Sequence, residues 1–231
     1  PTMDLSGQDT AQKVSVLAAI LTGAALAPSK IARAGIERVE AEDVGFALSA
    51  LRRAPRLIGA LRLDWGNPVR AEASVFPPLV PLEHPLAAVR GEYNAVLVKA
   101  SAADDLMFYG KGAGAGPTAS AVLADVFVLS RDILGGLPPV ALAARELSLV
   151  SPDEAVSGWY LRLDVLDKPG ALARIADALG REKVSIAAIH QDQASGRRSV
   201  PVMIAAHPSP RGHFERARKR ILSLSPVSPR H

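Results

Sequence analysis

Apolar positions along the chain fall into two textures. From Val14 to Ala27 they form an almost unbroken run, interrupted only by Ser15 and by Thr22-Gly23. Ser6-Gly7-Gln8-Asp9 precedes it as a capping box, with Ser6 at the N-cap and an acidic residue three positions on. The pattern predicts a buried core helix from about Gly7 to Ala27, closed by Pro28-Ser29. Glu42-Asp43 opens a second helical pattern through Ala47, Leu48 and Leu51. From Arg56 to Tyr109 the runs shorten and read as strands: Leu57 to Leu63, Val69 to Val75, Ala95 to Val98 and Leu106 to Tyr109. Gly66-Asn67-Pro68, Glu83-His84-Pro85 and Asp104-Asp105 supply the turns between them. Together these predict a sheet with helices on one side.

A glycine-rich turn, Gly110 to Pro117, leads into a second apolar helix over Thr118 to Leu134, with Pro117 at its first position and Gly135-Gly136 at its end. Residues 136–157, broken by Pro138-Pro139 and Ser151-Pro152, read as a linker. From Gly158 the order becomes strand (Trp159 to Leu166), turn (Asp167 to Gly170), helix (Ala171 to Glu182), strand (Val184 to Gln191), turn (Ser195-Gly196), strand (Ser199 to Ala206) and helix (Arg211 to Leu224). That is β-α-β-β-α, one strand short of a ferredoxin-like unit, and the proline-bearing tail Ser225 to His231 is a poor final strand. The expected class is α/β, with a first domain over 1–135 and a second over 158–231.

Composition narrows the chemistry. The 231 residues suffice for two modest domains, and 48% hydrophobic against 22% charged residues is the make-up of a chain with a buried core. With aromatics at 4%, that core must be aliphatic. Cysteine is absent, which excludes disulfides, thiolate metal sites and cysteine nucleophiles and fits a cytoplasmic protein. A net charge of +4 makes no case for nucleic acid; much of the excess, at Arg211, Arg216, Arg218, Lys219, Arg220 and Arg230, reads as a solvated helix face and a tail. The Val14 to Ala27 run is shorter than the ~20 residues of a membrane span, so no membrane partner is expected. His84, His190, His207 and His213 have no ligand spacing, so no metal site is expected, and His84 beside Pro85 reads as a turn residue. Because no signal-type segment precedes the first acidic residue, the chain is expected to be the remainder of something longer.

Asp9 and Lys13 stand four apart, so on a helix they share a face, and Asp4 stands just before that helix. One reading is a capping residue plus a surface ion pair. The other is a catalytic pair: among Val14, Val16, Leu17, Ile20 and Leu21, a lysine beside a carboxylate is a candidate proton shuttle.

These residues carry a resemblance. Pro1-Thr2-x-Asp4-Leu5-x-Gly7-x-Asp9-x-Ala11-x-Lys13 resembles the signature stretch of homoserine dehydrogenase. Val80-Pro81-x-x-His84-Pro85-Leu86-Ala87, then Gly91-x-x-Asn94-Ala95-Val96, is similar to the middle of that family's catalytic domain, and Gly110-x-Gly112-Ala113-Gly114-x-x-Pro117-Thr118 to its C-terminal glycine loop. The resemblance spans about residues 1–135 and implies a helix-covered, mostly antiparallel sheet. It implies interconversion of L-homoserine and L-aspartate 4-semialdehyde with NAD or NADP, within threonine, methionine and isoleucine biosynthesis. Lys13 is then the proton donor or acceptor at the substrate oxygen, and Asp4 and Asp9 hold the substrate's amino group and hydroxyl. Gly114 touches the nicotinamide cofactor in a loop shared with Gly110, Gly112 and Thr118. An ammonium can stabilise the charge that appears on oxygen as hydride reaches carbon. The family's nucleotide-binding half and its metal ion have no counterpart here, so most of the cofactor site is expected upstream. A homodimer through the catalytic domain is implied as well.

Leu163-x-Val165-x-Asp167-x-Pro169-Gly170-Ala171-Leu172, with Ile175, Val184-Ser185-Ile186 and Gln191, resembles an ACT domain. This implies an amino-acid effector such as threonine at Asp167, Pro169, Gly170, Ala171, Leu172 and Ile186, its carboxylate on amides at a helix start. The competing expectation is a non-catalytic regulator that senses an amino acid and reports it to a partner chain.

Overall fold

In the computed structural model, residues 2–66, 68–138, 143–191 and 199–228 are described. The Ser195-Gly196 turn, Asn67, Pro139, Arg230 and the last residues of the tail lie outside them. The helices are α1 (Thr2–Leu5), α2 (Gln8–Thr22), α3 (Ala41–Ser49), α4 (Ala115–Leu134), α5 (Ala171–Arg181) and α6 (Arg211–Leu222). The strands are β1 (Ala24–Ala25), β2 (Ala32–Arg33), β3 (Arg53–Pro55), β4 (Ile58–Asp64), β5 (Arg70–Phe76), β6 (Leu79–Pro81), β7 (Tyr93–Ala100), β8 (Asp104–Lys111), β9 (Ala143–Glu146), β10 (Ser148–Leu149), β11 (Val156–Leu166), β12 (Ile186–Gln191), β13 (Ser199–Pro210) and β14 (Val227–Ser228).

Helix α2 starts differently from the expected capping box. Ser6 Oγ donates back to the Met3 carbonyl, and the N-cap is Gly7, in the left-handed region at φ 75°. Only glycine fits there, because a Cβ would also lie 2.8 Å from Val75 Cγ1. The helix stops at Thr22, short of the expected Ala27, where Gly23 at φ 69° donates to the Ala19 carbonyl and turns the chain into β1. Ser15 Oγ donates to the Leu26 carbonyl, which folds this extension back onto the helix.

One face of α2 lies on β4 and β5 because Gly59 leaves room: a Cβ there would meet Val14 Cγ2 at 2.6 Å and Thr10 Cγ2 at 2.8 Å. Ala11, Val14 and Ala18 are buried there with Leu26, Ile31, Ala71, Val75 and Leu147. Val16, Leu17, Ile20 and Leu21 are exposed, so α2 is a half-covered helix instead of the expected core helix.

Strand β5 is the axis of the first sheet. It pairs antiparallel with β4 over its whole length, from Ile58↔Phe76 to Asp64↔Arg70. Its other edge takes β10 in parallel near its start and β2 in parallel near its end. β1 pairs in parallel with β9, and β3 antiparallel with β6. Part of the segment read as a linker therefore returns to the first unit as β9 and β10. The alternation there is too short to announce strands that pair with residues more than seventy positions away.

β7 and β8 form an antiparallel hairpin. Asp104 opens β8 at φ 52°, a conformation aspartate tolerates, so the turn falls at 101–103 and Asp104-Asp105 belong to the strand. α4 begins at Ala115, which moves Pro117 to its third position. No α4 residue is buried, and Phe108, Phe127, Leu129 and Ile133 stand exposed on the hairpin and the helix.

The second unit has sheet order β12-β13-β11-β14, antiparallel throughout, with α5 and α6 on one face: a complete ferredoxin-like sheet. The tail does supply the fourth strand. Val227 and Ser228 pair with Val165 and Asp164, and the Leu166 amide donates to the Pro226 carbonyl at 2.7 Å. Proline is tolerated there because this edge uses its acceptor and not its missing donor. Leu163, Val165, Ile175, Leu179, Val200, Val202, Ile204 and Ile221 fill the core.

The units meet across the sheet's other face. Phe46 of α3 stacks near Tyr160 and His190, with ring centroids 6.1 and 5.6 Å away. Asp43 Oδ1 accepts from Tyr160 Oη at 2.6 Å, and Asp43 Oδ2 accepts from Arg162 Nη1 at 3.0 Å. Burial first, then the hydrogen bond to Asp43 and its charge, push the Tyr160 hydroxyl far above the usual tyrosine range, so it remains a donor.

Ile175 is fully buried, and Ile175→Ala is expected to destabilise the ferredoxin-like unit by about 2–5 kcal/mol in urea unfolding. Glu182, at the end of α5, accepts from Arg216 Nε at 2.8 Å and pairs with Arg220 Nε at 2.9 Å. The Arg216 hydrogen bond outweighs desolvation and holds this carboxyl below the ordinary glutamate value. Its stabilisation is present above about pH 4.3, where an unfolded glutamate is ionised, and is lost as pH falls through the depressed folded value. Thermal unfolding of Glu182→Gln is accordingly expected to show a shallower loss of stability below about pH 4.3 than the unsubstituted chain.

Candidate active site

The left-handed turn at Gly7 sets the direction in which the first turns of α2 point. With Ala11 and Val14 against the sheet, Asp9 and Lys13 project from the uncovered side. Lys13 Nζ lies 2.7 Å from Asp9 Oδ2, with the lysine side chain 60% and the aspartate 34% exposed. The expected spacing argument holds, but the expected dry surroundings do not: the apolar neighbours Val16, Leu17, Ile20 and Leu21 are themselves exposed. The result is a charged pair at the edge of an open apolar surface.

Asp4 sits on α1, and its carbonyl accepts from the Gly7 amide at 3.2 Å. Its side chain is exposed. Among the described residues, no hydrogen bond or ion pair joins Asp4 or the glycine loop to the Lys13–Asp9 pair. What holds Asp4 in place escaped the sequence reading: the Leu5 carbonyl accepts from the Ile36 amide at 2.9 Å, and Gly35 lies so close to the Leu5 carbonyl and Ser6 that a Cβ has no space.

The glycine loop follows the hairpin. Gly110 is the next-to-last residue of β8, with open space beside it, and Gly112 donates its amide to the Glu92 carbonyl at 3.1 Å. A Cβ on Gly112 would collide with the Asn94 side chain, a neighbour that Gly91-x-x-Asn94 alone does not reveal. Gly114 caps α4 at φ 113° and its carbonyl accepts the Thr118 amide at 3.1 Å. Near the missing Gly114 side chain stands only the Pro117 ring, so a flat group can approach the backbone there. This much fits contact with a nicotinamide, and the one charged side chain of the loop, Lys111, is paired with Glu92 at 2.6 Å.

In the ferredoxin-like unit, a cleft of about 410 Å³ is lined by Asp167, Pro169, Gly170, Ala171 and Leu172, with Lys168, Val165 and Gln191. Gly170 opens α5 in the left-handed region at φ 83°. Gln191 Nε2 donates to Asp167 Oδ1 at 3.5 Å across the opening. Five of the six expected effector residues meet here, whereas Ile186 packs against the core.

His84 caps a short turn, its Nδ1 accepting from the Leu86 amide at 3.2 Å. Among the described residues, no group of three His, Asp or Glu side chains could hold a metal ion, and no helix is long and apolar enough to cross a membrane.

A sequence profile of homoserine dehydrogenase matches residues 1–127, and one of the ACT domain matches residues 159–224. A homoserine dehydrogenase of Mycobacterium tuberculosis is 36% identical over 214 residues, covering 90% of this chain and 48% of that protein. One from Neisseria gonorrhoeae is 32% identical, covering 98% of this chain and 53% of its own length. Among solved structures, a homoserine dehydrogenase from Thiobacillus denitrificans superposes with a TM-score of 0.85 at 30% identity, over 99% of this chain and 52% of that one. The enzyme from Staphylococcus aureus gives a TM-score of 0.63 at 28% identity, over 93% of this chain and 51% of that one. The chain thus spans about half the length of the relatives it matches. On its signature stretch, its glycine loop and its appended ferredoxin-like sheet, the chain belongs to the homoserine dehydrogenase family.

Proposed function

We propose that this chain carries the substrate-binding and regulatory part of a homoserine dehydrogenase, which interconverts L-homoserine and L-aspartate 4-semialdehyde with NAD or NADP. The observation that carries the reading is the Lys13–Asp9 pair, 2.7 Å apart on the uncovered side of α2. A surface ion pair contributes little to stability, yet this one stands beside apolar side chains that face no partner within the described residues. Such surroundings suit a site completed by further protein.

The cofactor supplies or accepts a hydride at the substrate carbon. In the reducing direction the Lys13 ammonium gives its proton to the carbonyl oxygen, and in the oxidising direction the neutral amine takes the proton from the hydroxyl. Asp9 aims the lysine and accepts from the substrate hydroxyl, and Asp4 binds the substrate ammonium. Gly114 lets the cofactor approach the backbone, with Gly110, Gly112 and Thr118 fixing the loop. The larger part of the cofactor site lies in residues upstream of this chain.

The bare apolar surface of α4 and the β7–β8 hairpin is larger than scattered surface residues explain and supports a homodimer through this unit. The cleft at Asp167 to Leu172 supports an amino-acid effector, with threonine first among candidates; its carboxylate meets amides at the start of α5 and its ammonium meets Asp167. Threonine, methionine and isoleucine biosynthesis in the cytoplasm is the setting this reading implies.

Homoserine-dependent reduction of NAD and NADP, followed by absorbance, tests it on the protein extended upstream in its reading frame. Lys13→Ala is expected to lower kcat by about 10²–10⁴-fold while the circular dichroism spectrum is unchanged. Turnover within a factor of two would remove Lys13 from the chemistry. An extended protein without turnover on either cofactor would make the amino-acid-sensing regulator the better account. In the active protein, threonine is expected to slow turnover, and Asp167→Ala to raise the half-inhibiting concentration about tenfold or more.

A further inference from the structure

Asp43 joins α3 to β11. Its Oδ2 accepts from the Glu40 amide at 2.8 Å as one half of the capping box that starts α3, while the Glu40 side chain accepts from the Asp43 amide. The same carboxylate binds Tyr160 and Arg162 of β11. Arg162 also reaches Glu40 Oε1 with Nη2 at 2.8 Å, so one guanidinium grips both members of the box. The Arg162 and Asp43 side chains are each 8% exposed.

β11 leads at one end into the effector cleft, whose lining includes Val165 and Leu166. Tyr160 and Arg162 lie on the strand face opposite Leu161, Leu163 and Val165, which meet the module's core. A shift of β11 therefore pulls on the first turn of α3.

From Glu40 the connection continues toward the active site. The Val39 amide donates to the Ile36 carbonyl at 3.0 Å, and the Ile36 amide to the Leu5 carbonyl at 2.9 Å. Gly35 leaves no slack against Leu5 and Ser6. Leu5 adjoins Asp4, and Gly7 follows as the cap of α2.

We propose that Asp43 is a positioning residue that ties β11 of the ferredoxin-like unit to the segment holding Asp4, so that displacement of the strand is felt at the start of the site. The proposal rests on the dehydrogenase reading only in taking Asp4 as a substrate ligand. A contact elsewhere, Arg70 with Glu154 at 3.8 Å, lies at the opposite end of β5 from Val75 and does not touch that segment, which makes it a control.

Amide hydrogen exchange by mass spectrometry on this chain tests the connection. Arg162→Met leaves the capping box in place and removes both ion pairs through which β11 grips it. It is expected to speed exchange about tenfold in peptides covering 34–40 and 2–9, with α5 and β13 still protected. Glu154→Gln is expected to leave peptides 2–9 unchanged. Protected α5 and β13 with no change at 34–40 and 2–9 would overturn the proposal. Should Arg162→Met unfold the ferredoxin-like unit, Tyr160→Phe, which removes one hydrogen bond, decides on the same peptides: faster exchange supports the connection and unchanged exchange overturns it. In the upstream-extended protein, Arg162→Met is expected to raise KM for homoserine several-fold with kcat nearly kept, because Asp4 moves while Lys13 stays on α2. A fall in kcat at unchanged KM would overturn it. Loss of the dehydrogenase reading itself leaves the exchange result standing.

Discussion

A carboxylate shut away from water is tolerable only when donors replace the solvent, and Asp43 has three of them: the Glu40 amide, the Tyr160 hydroxyl and the Arg162 guanidinium. Two come from another part of the chain. The carboxylate comes from one unit and two of its donors from the other, so the two units specify each other's position as well as their own folds. The same residue starts α3, whose Phe46 covers the polar face of the ferredoxin-like sheet. That sheet would otherwise have one face in the core and one in water. Here α5 and α6 cover one side, and Asp43 and Phe46 of α3 touch the other at Tyr160, Arg162 and His190.

Glycine sets the other close approaches. Gly59 lets α2 lie on β4, Gly7 lets its first turn pass Val75, and Gly35 lets the 34–36 segment press on Leu5. Each removes a side chain that would collide, with Val14 and Thr10 at Gly59, with Val75 at Gly7 and with the backbone of Leu5 and Ser6 at Gly35. The catalytic candidates follow from this: with α2 seated by its small residues, the long side chains of Asp9 and Lys13 have only the outer side to occupy.

Much of the fold was legible because the signals were local. β4, β5, β7 and β8 lie on their predicted apolar runs, and α5 starts after the turn that Pro169-Gly170 announces. The misreadings share a cause. Ser6 has the right chemistry for an N-cap, yet packing against Val75 gave that place to Gly7. β9, β10 and β14 are strands only through distant partners, and segments of two to four residues carry no period of their own. The apolar runs of α2 and α4 announced burial, yet among the described residues Val16, Leu17, Ile20 and Leu21 of α2 stand exposed and no residue of α4 is buried. At the candidate site, spacing revealed the Asp9–Lys13 pair. The Gly35 contact and the Asn94–Gly112 contact were hidden, since each joins residues with no recognisable spacing.

The pairing of β10 with β5 carries a consequence for synthesis. Ser148 and Leu149 complete the edge of a strand made seventy-eight residues earlier, and Leu147 seals the core beneath it. Until the ribosome has passed this point, β5 waits with part of one edge open, although β4 has long been in place. Contacts this distant along the chain slow folding. The first residues of β11 follow almost at once, so the nascent chain closes its older unit while beginning the younger one. The younger one is complete only when β13 and β14 have been made, so Asp43 and Phe46 of the older unit wait until then for the strand they dock on.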